Sequence, residues 1–206
     1  MNAEITLRIA EEADAPELVK IYAPYVEDTA VSFEYDVPSA EEFAGRMRRV
    51  LRKYPYIVAE SGGKILGYSY AGTFNPRAAY DWSVETTIYL RTDQKRKGIG
   101  SFLYDAMEEL LKEQGILNLN ACIGYPDTED AHLTRDSVKF HEKRGFRMVG
   151  EFHDCGCKFG RWYSMVWMEK MIGSHVIPQP PIKPFPEIRA EAGSILQRYR
   201  LPKTDR

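Results

Sequence analysis

Residues 88–104, Ile88-Tyr-Leu-Arg-Thr-Asp-Gln-Lys-Arg-Lys-Gly-Ile-Gly-Ser-Phe-Leu-Tyr104, restrict the fold more than any other stretch. A β-branched and aromatic run breaks into a cationic loop with two glycines and restarts at helical spacing, which predicts a strand, an anion cradle and a helix in that order. Gly98 and Gly100 lack the Cβ atoms that would hold a ligand off the backbone. Successive N–H groups and the positive end of a helix dipole can then converge on a phosphate, so the expected ligand carries a pyrophosphate.

Two common pyrophosphate motifs do not fit. The dinucleotide fingerprint needs a third glycine where Leu103 stands, and the nucleoside-triphosphate loop needs a lysine directly after its last glycine, where Ser101 stands. What remains is Lys95-Arg-Lys-Gly98-Ile-Gly100. It resembles the pyrophosphate loop [QR]-x-x-G-x-[GA] of the GNAT acetyltransferases, with Lys95 where Gln or Arg is usual. A basic, solvated helix start is the other reading of the same residues.

The rest of the chain reads as one mixed layer structure. Strands are expected at Ile5 to Ile9, Tyr56 to Glu60, Ile65 to Ala71, Val84 to Leu90 and Leu117 to Ile123, with a terminal hairpin of Phe146 to Phe152 and Arg161 to Met168. Asp14 and Glu17 suggest a capping box for a helix buried through Leu18, Ile21, Tyr22 and Tyr25. Ser39 and Glu42 suggest a second, and Ser137 to Arg144 a short late helix. The order β-α-α-β-β-β-α-β-α-β-β predicts an α/β (α+β) fold: one mixed, mostly antiparallel sheet with helices on both faces. Residues 1–171 form this domain. Residues 172–206 carry five prolines between Pro178 and Pro186 and read as an extension in which Ile188, Ile195 and Leu196 are the apolar contacts of one polar helix.

Composition excludes some classes. With 28 basic and 30 acidic side chains in 206 residues, no global field draws the chain to nucleic acid or membrane. Met1 to Thr6 lack the pattern of a leader and no apolar run is long enough to span a bilayer, so a cytoplasmic protein is expected. Cys122, Cys155 and Cys157 give no disulfide framework, and His153 with two of them is too small a ligand set for a structural zinc. No metal is expected.

Further blocks narrow the resemblance. Tyr54 to Glu60, Tyr80 to Tyr89 and Phe159-Gly-Arg-Trp162 are similar to the phosphinothricin-type amino-acid N-acetyltransferases, and the similarity covers about residues 5 to 170. It implies an acetyl-CoA-dependent enzyme whose sheet splays between the Ile88 and Leu119 strands. The edge Ile88, Tyr89 and Leu90 would pair with the pantetheine amides, and Lys95, Arg96, Lys97, Gly98, Ile99, Gly100 and Ser101 would take the pyrophosphate. Thr134 and Ser137 would border the cofactor arm, although Thr134 stands where an Asn is common.

The same resemblance implies Glu85 as general base and His141 as the group serving the departing thiolate, with Tyr104 in reserve. Phe33, Asn75, Arg77 and Tyr80 would form the acceptor pocket, Arg77 holding an acidic group bidentately. The loop around Arg77 is less basic than in the relatives, and the segment Asp127 to Leu133 is an insertion. The expected acceptor is therefore a small amino acid or analogue such as phosphinothricin, methionine sulfoximine or methionine sulfone. A protein or peptide acceptor and a non-catalytic CoA-binding module are the alternatives. A homodimer is expected from family analogy and from the apolar hairpin with Trp162 and Trp167.

Overall fold

The computed structural model describes residues 4–202; the first three residues and the last four of the proline-rich extension lie outside the described residues. The chain runs β1 (Ile5–Ile9), α1 (Ala15–Glu27), α2 (Ala40–Leu51), β2 (Tyr56–Ser61), β3 (Lys64–Thr73), β4 (Ser83–Leu90), α3 (Ile99–Gln114), β5 (Asn118–Tyr125), α4 (Asp136–Lys143), β6 (Arg147–Lys158), β7 (Arg161–Met171), α5 (Arg189–Gln197) and β8 (Arg200–Leu201). The strands make one sheet in the order β6-β7-β5-β4-β3-β2-β1-β8. Each neighbouring pair is antiparallel except β4 and β5, which the α3 crossover joins in parallel.

Alternation along β2 shows why helices cover both faces. Tyr56 and Val58 enter one core with Leu18, Ile21 and Tyr22 of α1 and Phe43 and Met47 of α2. Ile57 and Ala59 point the other way, into a core with Leu103, Met107, Leu110 and Leu111 of α3. A strand buried on both sides reads as an unbroken apolar run, as this one does in sequence.

Local signals govern some helix ends. The Ser39 hydroxyl accepts from the Glu42 N–H at 3.1 Å, and α3 stops at Gly115 in the left-handed conformation (φ 85°). The capping box expected at Asp14 and Glu17 is absent. The Asp14 carboxylate is held at 2.7 and 2.8 Å by Arg8 of β1 and accepts from the Glu11 N–H at 2.8 Å. The carboxylate thus serves Arg8 and a capping box with Glu11 that opens a short 3-10 turn, from which α1 continues.

The terminal hairpin is longer than its alternation predicts. β6 passes Phe152 and reaches Lys158 through register shifts between Met148 and Gly150 and between Phe152 and Gly156; bulges break the period of two and hide the continuation. The proline-rich segment packs on the body. Phe185 and Ile188 are buried in the α3-side core, Gln114 donates from Nε2 to the carbonyls of Lys53 and Lys183 at 2.8 Å each, and β8 pairs with β1. Trp82 donates to the Pro180 carbonyl at 2.7 Å, which places it with this segment.

Candidate active site

The sheet forks in its middle. β4 and β5 pair at Ser83–Asn118, Val84–Leu119 and Glu85–Asn120, after which the two strands diverge. Polar side chains close the apex: Asn120 donates to the Val84 carbonyl at 3.1 Å and Thr86 to the Asn120 carbonyl at 3.2 Å. Beyond it, β5 pairs with β7 as far as Tyr125, and the edge of β4 from Thr86 onward faces the gap. Neither Asn120 nor Thr86 stands out in the sequence, because their role exists only at the fork.

A cleft of about 210 Å³ occupies the gap. Glu85, Ile88 and Tyr89 line it from β4, Cys122 and Gly124 from β5, Tyr104 from α3, and Ser137 and His141 from α4. Among the expected site residues, the fold therefore brings Glu85, His141, Ile88, Tyr89 and Ser137 together. Burial raises the pKa of the Glu85 carboxyl above its ordinary value and pushes the Cys122 thiol up to about 12, the nearby Glu85 charge adding to the effect. Such a thiol stays protonated at neutral pH and is a poor nucleophile.

His141 and Tyr104 form a pair. His141 Nδ1 lies 2.7 Å from the Ser137 carbonyl, which can only accept, so that nitrogen carries the proton of the neutral ring. Nε2 is then an acceptor 2.8 Å from the Tyr104 hydroxyl, whose one proton it shares with the Thr86 hydroxyl at 3.2 Å. Desolvation lowers the His141 pKa, with the Ser137 carbonyl opposing it, and desolvation raises the Tyr104 pKa. Both shifts favour the uncharged pair with its proton on the phenol.

The glycine loop continues the β4 edge. Gly98 has φ 81° and open space beside its Cα, and the first-turn N–H groups of α3 have no intrahelical acceptors. This end of the site therefore fits a pyrophosphate. Gly100 is needed for another reason: a Cβ there would lie 3.3 Å from the Phe140 ring of α4, so Gly100 lets α3 approach α4. Ile99 is buried and Ser101 half-buried in the first turn of α3. The cations are not all free. Lys95 sits over the Tyr25 ring, 4.7 Å from its centroid, Arg96 pairs with Asp136 at 3.0 Å and Lys97 donates to Gln94 at 3.4 Å. The Leu90 carbonyl accepts from Tyr25 at 2.7 Å. Thr134 is exposed and accepts from the Asp136 N–H at 3.4 Å.

A second cavity of about 570 Å³ shares Val31, Tyr89, Cys122 and Gly124 with the cleft; Phe33, Phe152, Cys155, Met165 and Trp167 complete its apolar wall. Phe33 is thus in place. Asn75, Arg77 and Tyr80 are not among the residues lining either cavity. Tyr80 packs on Phe74, whose ring meets Trp167 edge-on at 5.4 Å, so their loop borders the cavity from behind. Arg77 is exposed there.

Comparison with known proteins agrees with this geometry. The profile of the acetyltransferase (GNAT) domain family matches residues 7–167. The chain is 31% identical over 186 residues to a phosphinothricin N-acetyltransferase of Streptomyces viridochromogenes, covering 89% of this chain and 96% of that protein. It is 32% identical over 166 residues to an L-methionine sulfoximine/L-methionine sulfone acetyltransferase of Pseudomonas aeruginosa, covering 80% and 92%. The crystal structure of a phosphinothricin acetyltransferase from Sinorhizobium meliloti in complex with acetyl-CoA superposes with a TM-score of 0.77 at 30% identity, covering 90% of this chain and 97% of that one. With its forked sheet, its glycine loop and a family match over most of its length, the chain belongs to the GNAT superfamily and is an acetyltransferase.

Proposed function

We propose that the chain acetylates the amine of a small amino acid or amino-acid analogue, with acetyl-CoA along the open β4 edge and the acceptor entering from the Phe33 cavity. The observation that carries this reading is the single cleft in which Glu85, Tyr104 and His141 meet, continuous with an apolar cavity of side-chain size. Acetyl-CoA supplies an activated acyl carbon and a thiolate leaving group. The chain supplies the rest. Glu85 holds a carboxylate whose pKa burial raises, which makes it a stronger proton acceptor than an exposed one. An α-amine of pKa about 7.7–8.0 has roughly a tenth of its population neutral at pH 7, so a modest base is enough. Tyr104 and His141 share one phenolic proton, which the phenol can give to the departing sulfur once its O–H turns from Nε2. Ile88 and Tyr89 offer backbone groups to the cofactor arm, with Ser137 across the cleft, and the first turn of α3 at Gly98 receives the pyrophosphate.

No lysine or arginine lines either cavity among the described residues. An acidic group on the acceptor would have to reach the rim, where Arg77 is the cation we assign to it. The size of the cavity and the names of the relatives support phosphinothricin, methionine sulfoximine or methionine sulfone as the first acceptors to try. A second copy of the chain as partner is supported by the exposed edge strand β6, where Met148, Val149 and Phe152 are 45%, 59% and 58% exposed, and by Trp162 at 61%. Among the described residues no helix is long and apolar enough to cross a membrane.

Free-CoA release measured with these three acceptors, common amino acids and peptides with free N-termini tests the reading. Turnover of the small acceptors is expected. Faster turnover of peptides would favour a protein acceptor, and tight acetyl-CoA binding with no turnover of any amine would favour a regulatory module.

A further inference from the structure

Lys158, the last residue of β6, is 4% exposed. Its Nζ donates to three main-chain carbonyls: Val26 at 2.6 Å, Thr29 at 2.8 Å and Ser32 at 2.7 Å. An ammonium has three N–H bonds, so each finds one acceptor. The Val26 carbonyl belongs to the last turn of α1, where carbonyls lack helical partners, and the other two follow as the chain leaves the helix. The segment therefore wraps around one buried charge.

That segment carries the wall of the larger cavity. Val31, Ser32 and Phe33 line it. The Phe33 ring rests on Gly156, where a Cβ would come within 2.2 Å of the ring, and the Tyr35 hydroxyl reaches the Cys157 carbonyl. Residues 156–158 of β6 thus hold residues 26–35 through a ring contact and hydrogen bonds, none of which involves the Gly98 loop. Burial lowers the Lys158 pKa, and the Glu34 charge opposes this; a buried ammonium is retained where its hydrogen bonds offset desolvation.

We propose that Lys158 is a positioning residue for acceptor recognition: by gathering the carbonyls of Val26, Thr29 and Ser32 it sets the place of the Val31–Phe33 wall, and hence the size of acceptor that fits. The proposal rests on the reading that the acceptor occupies this cavity.

The test combines Lys158→Met, Lys158→Arg and Gly156→Ala. Methionine keeps the stem and leaves three carbonyls unpaired. Arginine keeps the charge in a planar fork that cannot direct three bonds to one point. Alanine at 156 pushes the Phe33 ring away without touching the ammonium, and serves if the methionine variant does not fold. In each folded variant the acceptor KM should rise about tenfold or more, since small misplacements of positioning groups are costly, while acetyl-CoA affinity by calorimetry stays within about twofold of wild type and bulky amines gain relative to small ones. Hydrogen exchange should speed up across residues 28–35 in the Lys158 variants. Unchanged exchange there would show that Lys158 does not hold the wall and would overturn the proposal. Faster exchange with an unaltered acceptor KM would also overturn it, by showing that the wall does not touch the acceptor. Failure of the wild-type chain to acetylate any amine would instead count against the proposed function, with the exchange result still reporting on Lys158.

Discussion

The phenolic oxygen of Tyr104 lies 2.8 Å from Nε2 of His141 although the two residues are 37 positions apart and on different helices. The pair sits across the cleft from Glu85, and its proton belongs to the phenol because Ser137 has fixed the other imidazole nitrogen as a donor. Groups that act as a unit show non-additive losses. Tyr104→Phe and His141→Asn should each lower kcat by about 10²-fold, at the low end for a lost acid–base group, with the acetyl-CoA KM nearly unchanged. The double variant should be no worse than the poorer single one. Steady-state rates that show multiplied losses would mean that the two residues act separately.

Glu85→Gln should lower turnover by about 10²–10⁴ while leaving acetyl-CoA affinity intact. The loss should shrink as pH rises, because the amine then loses its own proton. In the wild type, activity should climb with pH through the raised Glu85 pKa, which lies above the ordinary carboxyl value. A pH–rate profile of the variant that parallels wild type would remove Glu85 from the chemistry.

The same residue makes a prediction about stability. Its folded pKa is raised, so the folded state binds this proton more tightly than the unfolded chain does. That contribution is full below the unfolded pKa and is lost as pH rises through the folded value. At neutral pH the charged, desolvated carboxylate therefore opposes folding. Glu85→Gln, which cannot ionise, should melt at a higher temperature than wild type near pH 7.5, and the gap should close toward pH 4. Thermal scans at both pH values decide it; a gap that widens on acidification would contradict the assignment.

Gly98 and Gly100 should separate in their effects. Gly98→Val places a β-branched side chain at φ 81°, a conformation that costs a residue with a Cβ roughly 1–2 kcal/mol, and puts its bulk where the pyrophosphate is expected. Acetyl-CoA affinity should be lost in a protein that still folds. Gly100→Val instead meets Phe140 and should lower the melting temperature by loosening α3 from α4. Calorimetry together with melting would reveal a false distinction if both variants lost affinity equally at unchanged stability.

Arg77→Ala tests the rim. The acceptor KM should rise while the acetyl-CoA KM holds, because a charge-assisted pair is lost from one substrate only. Amidated acceptors should be poorer than free acids in wild type and nearly equal to them in the variant. Equal turnover of amidated and free acids by the wild-type enzyme would leave Arg77 without a role.

The strand, glycine loop and helix start of residues 88–104 were legible because they are local. A strand, a left-handed glycine and a helix start lie within the contiguous residues 88–104, and their spacing alone dictates where the N–H groups point. The strand β2 and the Ser39 cap were legible on the same grounds. The rest of the cleft and the larger cavity were not. The fork at Glu85 and Asn120, the Tyr104–His141 pair and the three carbonyls around Lys158 join residues 35 to 132 positions apart, and no periodicity records which of many distant side chains will meet. Gly100 shows the limit at a single position: its spacing marks a loop glycine, and only the fold shows the Phe140 ring beside it. Arg77 shows the converse, a cation whose motif suggested a pocket and whose loop leaves it exposed and outside both cavity linings. Sequence spacing determined most of the elements and the glycine loop, since backbone geometry repeats every two or 3.6 residues. The packing of α4 and the β6–β7 hairpin against the forked sheet decided the rest, because burial and hydrogen-bond pairing are properties of that assembly and not of any one segment.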